Sequence, residues 1–228
     1  MWLGIQQGRR TMRGHDERVQ IACEVVEGLS VGDALGESLS YRPYVAREIC
    51  DYSSFRPGTV AYTDDTDFAD NPSAIAENAA RSARVTHFHP EGVAGAIAVA
   101  LAAGAAVSAR GHSVADAARQ IWESVMALTP ECTVKVRLNT VRSLVEATNH
   151  VAAREVGNGA EVSAQDTVPF CIWNACRTLG DFREALLSTV EVGGDCDTNC
   201  AIVCGIVAGF VGMTGIPPEW LRVREALR

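Results

Sequence analysis

Apolar residues recur at helical spacing along most of the chain. Between residues 16 and 36 they fall every three or four positions, which predicts a helix ending at the GDALG segment, 32–36. The same spacing predicts further helices beginning near residues 73, 90, 113, 133, 166, 181, 199 and 217. The strict alternation that marks β-strands is absent. We therefore predict an all-α fold built as a single domain.

Several helix ends can be placed from capping residues. Ser113 is followed three residues later by Asp116, a pattern that resembles a capping box. Asp166 is the predicted cap of the helix that stops at Gly180, and proline is expected in the first turn of the last helix. Residues 133–155 form one long amphipathic pattern and predict one helix, followed by a loop over 156–165.

Composition and charge limit the classes of function. The chain has 228 residues, of which 47% are hydrophobic, enough to bury the core of one domain. We expect a flexible extension over 1–15 and the domain over 16–228. The net charge of −8 argues against nucleic acids and anionic membranes as partners. The uncharged run 92–109 is rich in Ala and Gly and predicts a buried helix rather than a membrane span.

The cysteines favour a reducing compartment. The chain has eight cysteines and no CxxC pair, and its N-terminus lacks the apolar core of a signal peptide. We therefore expect free thiols and a cytoplasmic location. Cys196, Cys200 and Cys204 share one helix face, which suggests either a metal site or, preferably, small buried apolar side chains.

Two clusters of acids and threonines stand out. The first contains Thr63, Asp64, Asp65 and Asp67, and the second contains Asp195, Asp197 and Thr198. Hydroxyl and carboxylate oxygens suit Mg²⁺ or Mn²⁺. Neither cluster completes a coordination shell, but together they could hold two cations about 3.5–4 Å apart. Helix capping is the alternative explanation for each cluster, and the spacing does not decide between them.

Asp33 is a third candidate acid. It lies between glycines in an otherwise apolar helix. A buried carboxylate needs a partner, which here is either the water of a metal site or a backbone amide.

Four segments together resemble a known family. GLSVGDALGE, YTDDT, RVTHFHPEG and GGDCDTNCAIVCGIVAG, in this order and followed by GIPPEW, resemble the ADP-ribosylglycohydrolase family of the dinitrogenase-reductase-activating type. TDDT and the later GDxDT are the most specific of these motifs. The resemblance implies an all-α fold and two Mg²⁺ or Mn²⁺ ions. It also implies hydrolysis of the bond between ADP-ribose and a protein side chain or small molecule.

The resemblance assigns roles to individual residues. The implied metal ligands are Thr63, Asp64 and Asp65 on one side and Asp195, Asp197 and Thr198 on the other. Asp65 or Asp197 would deprotonate the attacking water.

The implied substrate contacts come from other segments. His87, Asp33, Gly193 and Gly194 would line the ADP-ribose pocket, and His89 would be structural. From the residues alone, either histidine could instead be a hydrogen bonder at a helix start. The VGNG segment, 156–159, would either receive the diphosphate or form a simple turn.

Two departures from the family pattern qualify the resemblance. Where relatives carry an acid shortly after GDALG, this chain has Ser40 and Tyr41, and Glu37 is the acid that could act in its place. Only residues 67–84 separate TDDT from the VTHxHP segment, where relatives have several helices, so the fold is expected to be shortened. A homodimer would cover surface that the missing helices leave exposed.

The shortening keeps a second function open. The alternative to a hydrolase is a non-catalytic relative that binds ADP-ribose or has a structural role. The sequence does not choose among arginine, serine, nucleobase and small-molecule linkages, or between Mg²⁺ and Mn²⁺.

Overall fold

The structure, a computed structural model, describes residues 15–39 and 71–224, and in the first range the side chains of 20–33 and 35. Ten α-helices and one short 3₁₀ helix lie in these ranges, with no β-strand among the described residues, which confirms the all-α prediction. The α-helices are α1 (His15–Leu39), α2 (Pro72–Thr86), α3 (Pro90–Ser108), α4 (Val114–Leu128), α5 (Thr133–Arg142), α6 (Asn149–Val156), α7 (Ala164–Arg177), α8 (Phe182–Val190), α9 (Cys196–Val211) and α10 (Pro218–Val223).

Helices α1 and α9 form the closest pair in the fold and run antiparallel. A Cβ atom added at Gly28 would lie 2.1 Å from the Ala208 Cβ, and one added at Gly32 would lie 2.2 Å from the Cys200 carbonyl oxygen. Only glycine permits this approach of the two backbones. The pairing brings the later turns of α1, which carry the GDALG segment, alongside the first turns of α9.

Helix α3 lies inside the fold. By length and composition alone it could cross a membrane, and 56% of its apolar window is buried inside the protein. It packs against α2, α4, α7 and α9. These contacts are those of a core helix, as the sequence predicted for the run 92–109.

Most predicted helix starts are confirmed. The Ser113 hydroxyl accepts a hydrogen bond from the Asp116 amide at 3.1 Å, so the cap of α4 is as predicted. Proline lies in the first turn of α10. Helix α1 continues past Gly36 to Leu39, because a single glycine weakens a helix without ending it.

Two predictions about helix ends were wrong. The pattern over 133–155 is two helices, α5 and α6, because local side-chain bonds interrupt it. The Ser143 hydroxyl donates to the Thr140 carbonyl at 2.7 Å, and the Thr148 hydroxyl caps α6 by accepting from the Val151 amide at 3.3 Å. Asp166 is not the cap of α7: the helix begins at Ala164, and Asp166 is buried in its first turn.

Five of the seven described cysteines are buried as small apolar side chains, whereas Cys23 is exposed and Cys132 is half-buried. All seven are free thiols, and Cys196, Cys200 and Cys204 are fully or almost fully buried. Burial raises the pKa of Cys200 well above its ordinary value, which keeps the thiol protonated. No group of three His, Cys, Asp or Glu side chains in the described ranges is placed to hold a metal. The extension predicted over 1–15 falls almost wholly outside these ranges and stays a prediction.

Candidate functional site

The start of α9 gathers the second acid cluster. Asp195 occupies the N-cap position, Asp197 lies in the first turn, and the next residue, Thr198, is exposed. Gly193 and Gly194 have φ values of +65° and +80°, a left-handed conformation that favours glycine. This turn connects α8 to α9 and places the two acids at the start of α9.

The two glycines of this turn differ in their surroundings. A Cβ atom at Gly194 would lie 2.1 Å from the Asn158 carbonyl oxygen, whereas among the described residues no atom beyond its chain neighbours lies within 4 Å of one at Gly193. Gly194 is therefore required by a close contact as well as by its φ. Gly193 leaves open space beside the acids.

The Asp195 and Asp197 carboxyls contact each other. Partial burial raises the pKa of Asp195 to about 6, and the hydrogen bond with Asp197 adds to this rise. The same bond lowers the pKa of Asp197. The Asp195 carboxylate lies near the amide and hydroxyl of Thr198, although not in the geometry of a capping hydrogen bond. Below about pH 6 the pair therefore has a protonated donor, Asp195, and an ionised acceptor, Asp197, whereas above this pH both carboxyls are ionised.

A loop between α6 and α7, residues 157–163, lies directly behind these acids. The Asn158 carbonyl accepts from the Asp195 amide at 3.2 Å and from the Asn199 side-chain Nδ2 at 2.7 Å. The Asn158 Nδ2 donates to the Val192 carbonyl at 3.1 Å. One residue of the 157–163 loop therefore binds both sides of the glycine turn. The VGNG segment is more than a simple turn, because it supports the GDCDT motif.

Asp166 fixes the 157–163 loop from the first turn of α7. Its Oδ2 accepts from the Glu161 amide at 2.9 Å, and its carbonyl accepts from the Gly159 amide at 3.1 Å. Gly157 has a φ of +100°, and a Cβ atom there would lie 1.9 Å from the Asp166 Oδ1. The loop backbone is thus wrapped closely around this carboxylate.

Arg137 of α5 supports the same region because of a proline inside α7. Pro169 has no amide hydrogen, so the carbonyl of Gln165 lacks its helical donor. The Arg137 Nη1 supplies one at 3.0 Å and also donates to the Val156 carbonyl at the end of α6 at 3.2 Å. The same nitrogen lies 3.8 Å from the Asp166 Oδ1.

The VTHxHP segment joins α2 to α3. His89 is the N-cap of α3, and its Nδ1 accepts from the Glu91 amide at 3.3 Å, as expected for a structural histidine at a helix start. His87 is exposed, and its Nδ1 lies 2.8 Å from the Thr86 hydroxyl. The assignment of His87 to the substrate pocket stays a prediction.

Glu91 caps a helix other than its own. Its carboxylate oxygens accept from the Thr133 and Val134 amides, at 2.8 and 2.9 Å, at the start of α5. Partial burial acts to raise the pKa of Glu91, but these amide hydrogen bonds outweigh it and leave the pKa below its ordinary value. A carboxylate from α3 thus fixes where α5 begins.

The structure describes part of the predicted site. It brings Asp195, Asp197 and Thr198 together and buries Asp33 on α1, one residue beyond the contact of Gly32 with α9. The remaining predicted site residues lie outside the described residues, or have side chains that do, and are Glu37, Thr63, Asp64, Asp65 and Asp67. The meeting of the two acid clusters therefore stays a prediction.

Four residues that support the acid pair were missed by the sequence analysis: Arg137, Asn158, Asp166 and Asn199. Pro169 was the available signal, because a proline beyond the first turn of a helix leaves a carbonyl that needs an outside donor. Asn199 directly follows GDCDT, and its type alone, an amide entering an apolar helix, indicated a buried polar contact.

The fold and this site define an all-α protein whose acids lie at the start of a buried helix. The family model described as ADP-ribosylglycohydrolase matches residues 67–227, more than two thirds of the chain. The chain belongs to the ADP-ribosylglycohydrolase family.

A curated relative extends the comparison. An uncharacterized protein of Archaeoglobus fulgidus is 31% identical over 140 residues, which are 61% of this chain and 43% of that protein. The chain therefore matches less than half the length of this relative.

Proposed function

We propose that the chain is a metal-dependent hydrolase that cleaves the glycosidic bond between ADP-ribose and a protein side chain or small molecule. The observation that carries this proposal is the contact between the Asp195 and Asp197 carboxyls at the start of α9, inside the region matched by the family. Two carboxylates in contact repel each other when both are ionised, so a divalent cation beside them would be strongly favoured.

The donor set fits Mg²⁺ or Mn²⁺ as far as it is described. Two carboxylates and the exposed Thr198 hydroxyl are hard oxygen donors. The other ligands are assigned by the resemblance to Thr63, Asp64 and Asp65. When bound, the cations would polarise the substrate oxygens and a water molecule.

Residues of the chain would carry out the other steps. Asp197, whose pKa is lowered, would accept the proton of the water that attacks the anomeric carbon. Among the described residues, no atom beyond its chain neighbours lies within 4 Å of a Cβ placed at Gly193, and the resemblance assigns this residue to the substrate pocket. The sugar would pass through an oxocarbenium-like state, as in other glycoside hydrolyses.

A second function is favoured by the extent of the matches. The family match begins at residue 67, after the TDDT motif, and the similarity to the archaeal protein covers 43% of that protein. A non-catalytic relative that binds ADP-ribose or has a structural role fits matches that leave out the TDDT motif.

The test is release of ADP-ribose by the full chain. Peptides ADP-ribosylated on arginine or serine and small ADP-ribose conjugates would be incubated with Mg²⁺, Mn²⁺ or EDTA. We expect release from one class, dependent on the cation and lost in Asp197→Asn. Asp116→Asn, the same exchange in the first turn of α4, should keep full activity. Binding of ADP-ribose without release from any class would favour the non-catalytic function instead.

A further inference from the structure

We propose that Asn199 is a positioning residue, which holds the Asp195–Asp197 pair in its cation-binding arrangement by fixing the Asn158 carbonyl behind it. This inference rests on the proposed function, since it concerns the cation site. It goes beyond that function because it assigns a role to a buried amide outside the expected set of ligands.

Asn199 joins three parts of the fold. It is fully buried in α9, one turn after Asp195, and its amide nitrogen bonds back to the Asp195 carbonyl at 2.9 Å. The side-chain Nδ2 donates to Asn158 at 2.7 Å, and the Oδ1 accepts from the Cys171 thiol of α7 at 3.3 Å. Both polar atoms of the Asn199 side-chain amide therefore have hydrogen-bond partners, as buried polar groups usually do.

The Asn158 carbonyl is the shared acceptor that links Asn199 to the acids. It accepts hydrogen bonds from the Asn199 side-chain Nδ2 and from the backbone amide of Asp195, the N-cap residue of α9. The Asp195 side chain lies near the Thr198 amide and hydroxyl but outside the geometry of a capping hydrogen bond on its own helix. Its backbone is thus placed by the 157–163 loop, and the position of the loop carbonyl is set by Asn199.

Close packing leaves little freedom in this arrangement. A Cβ atom at Gly159 would lie 2.7 Å from the Asp195 Cβ and 3.1 Å from the Asn199 Oδ1. The loop backbone therefore lies directly against both residues. A loss of the Asn199 bond should let the loop and the start of α9 shift together, which would misplace the carboxylates.

The backbone of the 157–163 loop is strained at one residue. Val162 has a φ of +49°, which is unfavourable for a β-branched residue, and its side chain is exposed. Because this side chain is exposed, packing of Val162 in the core does not offset the unfavourable backbone conformation. The bonds to Asp166 and to α9 hold the loop in place despite the strain.

The experiment compares two buried asparagines by exchange for leucine, which has a similar volume. Asn199→Leu removes the bond to the loop. Asn174→Leu is the matched control, because Asn174 is also fully buried and its Nδ2 donates to the Ser188 and Thr189 hydroxyls at 3.0 and 2.8 Å. Mn²⁺ affinity of the full chain would be measured by calorimetry well below the melting temperature of each variant, which would be measured in parallel.

Both variants should melt at lower temperature, but only Asn199→Leu should bind Mn²⁺ about 10- to 100-fold more weakly, the usual effect of losing a support behind a metal ligand. Wild-type affinity in Asn199→Leu would overturn the positioning role and leave the proposed function standing. Equal weakening in Asn174→Leu would also overturn it. No Mn²⁺ binding by the wild-type chain would refute the proposed function and this inference together.

A milder variant covers the case in which Asn199→Leu does not fold. Asn199→Ser removes the Nδ2 donor to the Asn158 carbonyl and keeps a polar side chain at the buried position. We expect a cooperative melting transition and a several-fold loss of Mn²⁺ affinity, because the donor that fixes the loop carbonyl is gone. Unchanged affinity in this variant would overturn the positioning role.

Discussion

The starts of α4 and α9 carry similar side chains in different arrangements. At the start of α4, the Ser113 hydroxyl accepts from the Asp116 amide and donates to its Oδ2 at 2.7 Å, and Arg119 pairs with the same carboxylate. At the start of α9, Asp195 and Asp197 contact each other, and a separate loop holds the backbone. One helix caps itself, and the other is supported from outside.

The two arrangements shift the acids in opposite directions. The hydrogen bond from Ser113 and the charge of Arg119 lower the pKa of Asp116. Partial burial and the neighbouring carboxyl raise the pKa of Asp195 to about 6. The Asp116 carboxylate already has a hydroxyl and an arginine as partners. The two carboxyls at α9 have each other as neighbours, so a bound cation would stabilise them. The comparison therefore separates a structural helix start from a candidate binding site.

The largest expected effect tests the acids of α9 directly. The double variant Asp195→Ala and Asp197→Ala should bind Mn²⁺ at least about 100-fold more weakly, because it removes two of the proposed ligands. At about pH 7.5 it should not lower the melting temperature of the metal-free protein, since both carboxyls are then ionised and repel each other. Calorimetry with Mn²⁺ and a thermal melt in EDTA would measure both quantities.

Asp116→Ala is the control for this variant. It should bind Mn²⁺ like the wild type, because its carboxylate is engaged in the cap of α4. Equal loss of affinity in both proteins would mean that the two helix starts do not differ in function.

The glycine turn before α9 gives the next largest effect. Gly194→Ala should lower the free energy of unfolding by about 2–4 kcal/mol, from the left-handed φ and from overlap with the Asn158 carbonyl. Gly193→Ala has a similar φ and open space, so it should lose only about 1–2 kcal/mol. Urea unfolding would measure both losses, and the difference between them is the contribution of the contact between Gly194 and the 157–163 loop. Equal losses would show that this loop does not support the turn closely.

A smaller effect is expected at the start of α4. Ser113→Ala should lower the free energy of unfolding by about 1 kcal/mol, the usual contribution of a cap. Mn²⁺ affinity should be unchanged. A loss of affinity here would break the distinction between the two helix starts, and the same calorimetric titration would detect it.

The smallest effect concerns α5, a helix start also capped from outside. The folded-state pKa of Glu91 is depressed, so its contribution is present above its unfolded pKa, about 4.3, and is lost as the pH falls through the lower folded value. Glu91→Gln should cost about 0.5–1 kcal/mol at pH 7 and progressively less below pH 4. Denaturant unfolding across this pH range would measure it. A difference that is constant with pH would contradict a charged cap.

Local signals made much of the fold predictable. Ser113 before α4 and the prolines that begin α2, α3 and α10 mark helix starts within a few residues of sequence. The break between α5 and α6 was missed, because the amphipathic spacing continues across it while Ser143 and Thr148 bond to the backbone. Apolar periodicity does not register such hydrogen bonds.

The candidate site was predictable only in part. The motif placed Asp195 and Asp197 together, since both lie within one turn. Their support was not predictable, because Asn199 bonds to Asn158 across 41 residues of sequence. The sequence predicts Asp166 as a cap, but its partners are the Glu161 and Gly159 amides, in a loop whose path depends on the folded chain.

The proline inside α7 has a consequence for related sequences. Since Pro169 leaves the Gln165 carbonyl to Arg137, the two positions are expected to covary: relatives with proline at 169 should keep a donor at 137, and relatives without it should vary freely there. The same dependence should appear as a non-additive double-mutant cycle. The proline inside α7 would then be evidence, in the sequences of relatives, that α5 packs against α7.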